Sequence, residues 1–212
     1  RICLVGSEMC IRDSTYLATS TRTELRRGRE VSRHEEVVEI RWQDWDNFSH
    51  RRTVDGRSVA DVIVADGVAW SRRLGGDWRQ KDDAESSRVQ LKTTWNAWEQ
   101  ATTSFGDLVV MTEGDREAVE GRPARHYTLS LSELPPAGDA ATQPLSLTGD
   151  LWVDEANAVR LTGSLEGILG SEGYRRKIEL QVVRTAIGMP QNIEPPDPSE
   201  EDGDANTELR SP

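Results

Sequence analysis

Asp44 and Asp46 flank Trp45 in the run Trp42-Gln43-Asp44-Trp45-Asp46. Two carboxylates so placed could divide general-acid and general-base roles, as in glycoside hydrolysis. The same spacing near a strand end also serves turns and solvent-facing positions, so a carboxylate-dependent hydrolase stands as an outside reading. His34, His50 and His126 lie far apart, at positions that read as polar in separate strands, with no second histidine at ligand spacing. Surface or structural roles, with no metal, follow from that scatter. Gly163-Ser164-Leu165-Glu166-Gly167 has the letters of a nucleophile elbow, but it falls within an alternating strand where that motif needs a strand-to-helix turn. Asp202, Asp204 and Asn206 match the opening of a calcium loop. Thr207 stands where the loop requires glycine, and the chain ends before a closing glutamate, so the segment reads as acidic solubilising sequence. No phosphate loop or metalloprotease helix occurs, and no cofactor is expected.

Aromatic usage is more informative. Seven tryptophans accompany two phenylalanines and three tyrosines, with Trp42 and Trp45 expected on one strand and Trp95 and Trp98 on a helix. Tryptophans on facing elements build a core. Alternatively they line a concavity that side chains leave partly empty, the usual environment of an apolar ligand.

The elements that must position these groups are mostly strands. Val38, Ile40 and Trp42 alternate with Glu39, Arg41 and Gln43, the period-two pattern of a strand buried on one face. Val62–Ala65 and Val68–Trp70 flank Asp66-Gly67, a dipeptide suited to the positive backbone angles of a two-residue hairpin turn. Asp55-Gly56 marks another turn after Phe48–Val54. Alternation returns around Tyr127–Leu131, Leu145–Val153, Val159–Leu165 and Ile178–Val182, with turn signals at Glu113-Gly114-Asp115, Pro135-Pro136 and Asp154–Asn157. One segment departs from this. Between Ser87 and Phe105, Val89, Leu91, Trp95, Trp98 and Thr102 suggest one apolar helix face, capped by Ser86 or Ser87 and ended by Gly106. The expected class is mainly β (α+β), a curved antiparallel sheet forming a half-barrel over one main helix at about 87–105.

Residues 3–14, Cys-Leu-Val-Gly-Ser-Glu-Met-Cys-Ile-Arg-Asp-Ser, match the translation of a transposase sequencing adapter. Residues 1–14 are therefore set apart from fold reasoning as an expected artefact, together with both cysteines, Cys3 and Cys10. A single half-barrel domain is expected at 15–188 and an acidic, proline-rich disordered tail at 189–212. Seven acids and one arginine from Glu194 onward carry −6 of the formal charge of −11 and leave −5 for the remainder. Such a balance argues against a protein that tracks nucleic-acid phosphates. Arginines at 26, 27 and 29 and at 51 and 52 adjoin acids and read as solvated strand faces. No apolar run reaches membrane-spanning length.

The Val62–Trp70 hairpin is followed by Gly76-Asp77-Trp78, then by the Trp-bearing helix and by Val119-Glu120-Gly121-Arg122-Pro123-Ala124-Arg125-His126-Tyr127. Last comes Gly149-Asp150-Leu151-Trp152-Val153-Asp154-Glu155 leading to Val159-Arg160-Leu161. Together these motifs resemble the lipoprotein-carrier (LolA/LolB-like) superfamily of bacterial envelope proteins. The resemblance spans roughly residues 30–187. It implies a half-barrel that holds acyl chains, and a periplasmic or outer-membrane-anchored location. One clear helix stands where carriers have several lid helices, which favours the fold over a carrier role.

Three readings follow. The first is a non-enzymatic envelope protein binding a lipid, an acyl chain or another hydrophobic ligand, with Val62, Val64, Trp95, Trp98, Leu129 and Leu131 as lining. The second is a structural or protein-interaction module with a filled core that meets an envelope protein partner. The hydrolase using Asp44 or Asp46 is the third. Close packing of Trp95 and Trp98 would count against the first.

Overall fold

The computed structural model describes residues 13–132 and 143–197. The chain begins with β1 (Ser14–Arg26), β2 (Arg29–Asp44), β3 (Asn47–Val54), β4 (Arg57–Ala65), β5 (Val68–Arg72) and β6 (Arg79–Gln80). Two short helices follow, α1 (Glu85–Trp95) and α2 (Ala97–Thr103), then a single 3-10 turn at Gly106–Leu108. The chain returns through β7 (Val109–Val119), β8 (Arg122–Leu131), β9 (Gln143–Asp154), β10 (Arg160–Ser171) and β11 (Tyr174–Thr185). All eleven strands join one antiparallel sheet in the order β6-β5-β4-β3-β2-β1-β11-β10-β9-β8-β7. Two meanders are therefore welded at the middle by β1 against β11. The sheet curves without closing, and the helices connecting the meanders lie over its inner face, giving the half-barrel.

Turn chemistry explains the meanders. Asp55-Gly56 and Asp66-Gly67 both adopt the paired positive φ of a two-residue hairpin turn, 50° and 76°, then 49° and 77°. Arg27-Gly28 and Glu120-Gly121 do the same at 49° and 77°. Their first residues are not the usual asparagine or aspartate, so the sequence signals them less sharply. At Asp154 the carboxylate organises the β9–β10 turn by accepting the N–H groups of Ala156 and Asn157 at 2.9 and 2.8 Å, while its second oxygen takes Arg122 Nε at 2.6 Å.

Several expectations need correcting. Glu113-Gly114-Asp115 is no turn but an irregularity within β7, where pairing with β8 shifts between Glu113 and Arg116. Trp45 follows β2 and lies in the turn before β3. The helical segment is two helices broken at Asn96. Thr93 and Thr94 donate their hydroxyls to the carbonyls of Val89 and Gln90, and Gln100 Nε2 donates to Thr93 O at 2.7 Å across the break. Threonine back-bonding of this kind bends helices. Val89 is 53 % exposed, because two residues before Leu91 is nearly the opposite side of the helix. Neither Ser86 nor Ser87 caps α1. Asp83 Oδ1 accepts the N–H of Glu85 at 2.8 Å, and Ser87 is buried.

β1 opens at Ser14, whose buried hydroxyl accepts from Arg184 Nη1 at 3.2 Å. Beyond β11 the chain folds back on that strand: Gly188 N–H donates to Asp13 O, and Thr15 Oγ1 donates to Gln191 Oε1 at 2.9 Å. Pro135-Pro136 and the Asp202, Asp204, Asn206 motif lie outside the described residues.

Candidate functional site: a cavity between helices and sheet

The core under the helices is built from large rings. Trp95 stacks on Tyr16 with centroids 6.0 Å apart and meets Trp42 edge-on at 5.3 Å. Trp42 in turn contacts Phe48 and Trp45. The Arg184 guanidinium lies 5.2 Å from the Trp95 ring and 5.5 Å from that of Tyr16, so a buried cation is held against electron-rich faces. On the other half of the sheet, β10 makes room by omission. A Cβ at Gly163 would come within 2.8 Å of Trp98, and one at Gly167 within 2.1 Å of Phe105. The two glycines that imitated a nucleophile elbow are sockets for helix and turn aromatics.

The same helices leave space on their other side. A cavity of about 590 Å³ opens between α1–α2 and the inner faces of β1, β2, β3 and β11. Ala18, Val38, Ile178 and Leu180 form its apolar floor, and Ala97 and Ala101 its roof. Ser20, Arg22, Glu36, Arg52, Gln90 and Gln100 add a polar rim. Its size lies within the range of small-molecule sites, roughly 300–1,000 Å³. Small residues explain the opening: where α1 and α2 face this part of the sheet they present Thr93, Thr94, Ala97, Ala101 and Ser104, too short to fill the gap that Trp95 and Trp98 close elsewhere.

Charge at the rim is mostly neutralised. Arg52 donates through Nε to Glu36 Oε1 at 2.7 Å and through Nη2 to Oε2 at 3.3 Å. The carboxylate holds the Arg52 pKa above its usual value. Arg22 makes no ion pair among the described residues, which leaves the rim with a surplus positive charge. Deeper on β3, His50 is buried, contrary to its expected polar position. Burial, with Arg52 adding repulsion, lowers its pKa to about 4, so it is neutral at ordinary pH.

The six residues expected as a lining lie elsewhere. Val62, Val64, Trp95, Trp98 and Leu129 belong to the packed core, and Leu131 packs against it. None of the six lines this cavity. Periodicity identified which residues point inward, but it carries no signal for where the packing stops. The cavity residues are alanine, serine, threonine and glutamine on the helices, types without a sequence signature of their own. A run of small residues beside the tryptophans was the one available clue.

Asp44 and Asp46 do not form a paired acid and base. Asp44 Oδ1 accepts Asp46 N–H at 2.8 Å and Asn47 Nδ2 at 3.1 Å, as a turn-making residue does. Asp46 takes Arg88 Nη2 at 2.7 Å, and Arg88 Nε also donates to Trp45 O, tying α1 to the β2–β3 turn. Neither carboxylate reaches the cavity. His34 pairs with Asp55 at 3.0 Å. His126 stacks on Trp152 at 4.5 Å, with Nε2 2.8 Å from Asp150 Oδ1. Among the described residues no group of three potential ligands is placed to hold a metal ion.

No family model matches the chain, and no curated protein matches it. Solved structures do. The chain is similar to the lipoprotein LppX of Mycobacterium tuberculosis, at 13 % identity over 85 % of this chain and 89 % of that one, with a TM-score of 0.37. A LolA superfamily protein of Nitrosomonas europaea is 8 % identical over 87 % and 92 %, with a TM-score of 0.27. A chain of the Pseudomonas aeruginosa MucA/MucB complex is 17 % identical over 90 % of this chain and 58 % of that one, with a TM-score of 0.26. At such identities and TM-scores they bear on nothing further, and function has to be sought in the cavity.

Proposed function

We propose that this chain is a non-enzymatic envelope protein, periplasmic or anchored to the outer membrane, that holds an acyl chain or other hydrophobic ligand in the cavity between α1–α2 and the concave sheet. The observation that carries the reading is the 590 Å³ space itself, with an apolar floor of Ala18, Val38, Ile178 and Leu180 under a small-residue roof. Each methylene of a ligand moved there from water gains about 0.8 kcal/mol. The rigid aromatic core next to it gives the cavity a fixed wall, so little of that gain is lost in ordering the protein. The envelope setting comes from the hairpin and late-strand motifs that resemble lipoprotein carriers. Among the described residues no helix is long and apolar enough to cross a membrane.

A second reading, a structural or protein-interaction module with a filled core, draws on the close packing of Trp42, Tyr16 and Trp95. The two readings part at Ala101. Mass spectrometry of the purified protein should detect retained lipid, and a fluorescent fatty acid should be taken up. Ala101→Trp should abolish uptake while leaving the far-ultraviolet circular dichroism unchanged. Protein that retains no lipid and takes up no fatty acid would leave the filled-core reading standing.

A further inference from the structure

At one end of the cavity the sheet runs out into two hairpin tips that carry unusual charge for this molecule. Residues 22–33, at the β1–β2 tip, and 172–177, at the β10–β11 tip, hold eight cations and three acids, a net +5 in a chain of −11. The tips are joined: Arg27 N–H donates to Gly173 O at 2.9 Å, and Leu25 lies opposite Arg175. Arg176 is held by Glu24, and Lys177 by Glu166 and Glu179. Among the described residues Arg22, Arg26, Arg27, Arg29, Arg33 and Arg175 make no ion pair, and all six are exposed. Arg26 acts electrostatically on Glu24 without pairing with it, and the tips keep a net positive charge toward whatever approaches this end.

Two further features give the patch a direction. Pairing of β1 with β2 slips between Glu24 and Leu25, so Val31 is the extra residue of a bulge. Bulges re-aim side chains, and here the valine is 53 % exposed amid arginines. The second feature is Arg22, which belongs to the basic tip and also lines the cavity. The cavity thus meets the surface where the positive charge is concentrated.

We propose that the paired β1–β2 and β10–β11 tips dock on an anionic lipid surface, which brings the cavity mouth at Arg22 against the bilayer so that an amphiphile passes between membrane and cavity. Arginines supply the long-range attraction to acidic headgroups, and an exposed apolar side chain between them enters the interfacial layer. The passage of ligand rests on the cavity reading proposed above; the docking itself rests only on the tips. An acidic protein would meet the arginines but gives no role to a cavity that opens beside them.

The test is cosedimentation of the full chain with vesicles of phosphatidylcholine alone and of an equimolar phosphatidylcholine–phosphatidylglycerol mixture. Docking predicts binding only to the mixed vesicles, reversed by high salt, and roughly hundredfold weaker in a variant carrying Arg26→Glu, Arg27→Glu and Arg29→Glu. Val31→Ser should weaken it further at constant charge. Unchanged circular dichroism shows that the variants fold, since all four positions are exposed. Absence of binding to mixed vesicles overturns the proposal, as does equal binding by the triple variant. Capture of soluble polyglutamate without vesicle binding overturns it in favour of an acidic protein partner. Fatty-acid uptake from solution, measured on the same samples, separates the two ideas: uptake without vesicle binding removes the docking surface alone, and vesicle binding without uptake removes the cavity ligand alone.

Discussion

Two regions lie under the same pair of helices and differ in little but side-chain size. On one side Trp95, Trp98 and Phe105 reach down to Tyr16, Trp42 and the bare glycines of β10, and the rings are buried against one another and the sheet. On the other, Ala97, Ala101, Thr93 and Ser104 stop short of Ala18, Val38, Ile178 and Leu180, and a cavity remains. The backbone spans both. An empty apolar space is costly because its lining loses dispersion contacts, and here the filled region offsets that cost by holding the helices at a distance from the sheet that the small residues alone would not keep. The rings act as spacers for the hole beside them.

If that is so, removing a spacer should damage both regions at once. Trp95→Ala is expected to cost about 3–5 kcal/mol, read as a shift of the denaturation midpoint, with fatty-acid uptake lost as the helices settle. Uptake unchanged in a destabilised Trp95→Ala protein would break the spacer idea.

His50 marks the border, since the inner face of β3 runs from Phe48 in the core through His50 to Arg52 at the cavity. Its folded pKa of about 4 lies below the 6.5 of an unfolded histidine. As pH falls from 6.5 the unfolded chain takes up this proton first, so stability that is complete above that range declines down to pH 4, by roughly 3 kcal/mol. Stability measured across that window should fall less steeply in His50→Phe than in the wild type. Equal slopes would place the histidine in a wetter setting than its burial implies.

Gly167→Ala puts a methyl group into the Phe105 ring and should cost about 1–3 kcal/mol by overpacking, visible in thermal unfolding. The smallest stability effect is expected at Ala101→Leu. Filling cavity space there should change stability by less than about 1 kcal/mol while sharply reducing uptake. A large destabilisation at Ala101 would mean that the two sides of the helices are equally packed.

The meanders could be read from particular residues. Val38, Ile40 and Trp42 alternate as they point, and Asp55-Gly56 and Asp66-Gly67 turn as their chemistry requires. β1 was harder to see, because its inward positions are Tyr16, Ala18, Ser20 and Arg22, a weak contrast with the threonines between them. Its place is fixed by partners on both sides, not by its own pattern. The break at Asn96 escaped as well, since the spacing of Leu91, Trp95 and Trp98 suits an unbroken helix. The cavity residues carried no signal for a similar reason: inward-pointing is a local property, whereas lining a hole depends on what stands opposite.

Sequence alone determined most of the strands, the Asp-Gly turns, the clearest inward faces and the ring-bearing segment over the sheet, because these follow from period, turn geometry and hydrophobicity along a short stretch of chain. Tertiary structure decided the rest. It chose which inward residues meet a ring and which meet empty space, turned Gly163 and Gly167 into sockets, buried His50, and gathered the arginines of two hairpins at the mouth of the cavity. Each of these depends on residues brought together by the pairing of β1 with β11, a contact between the two ends of the fold that no local pattern encodes.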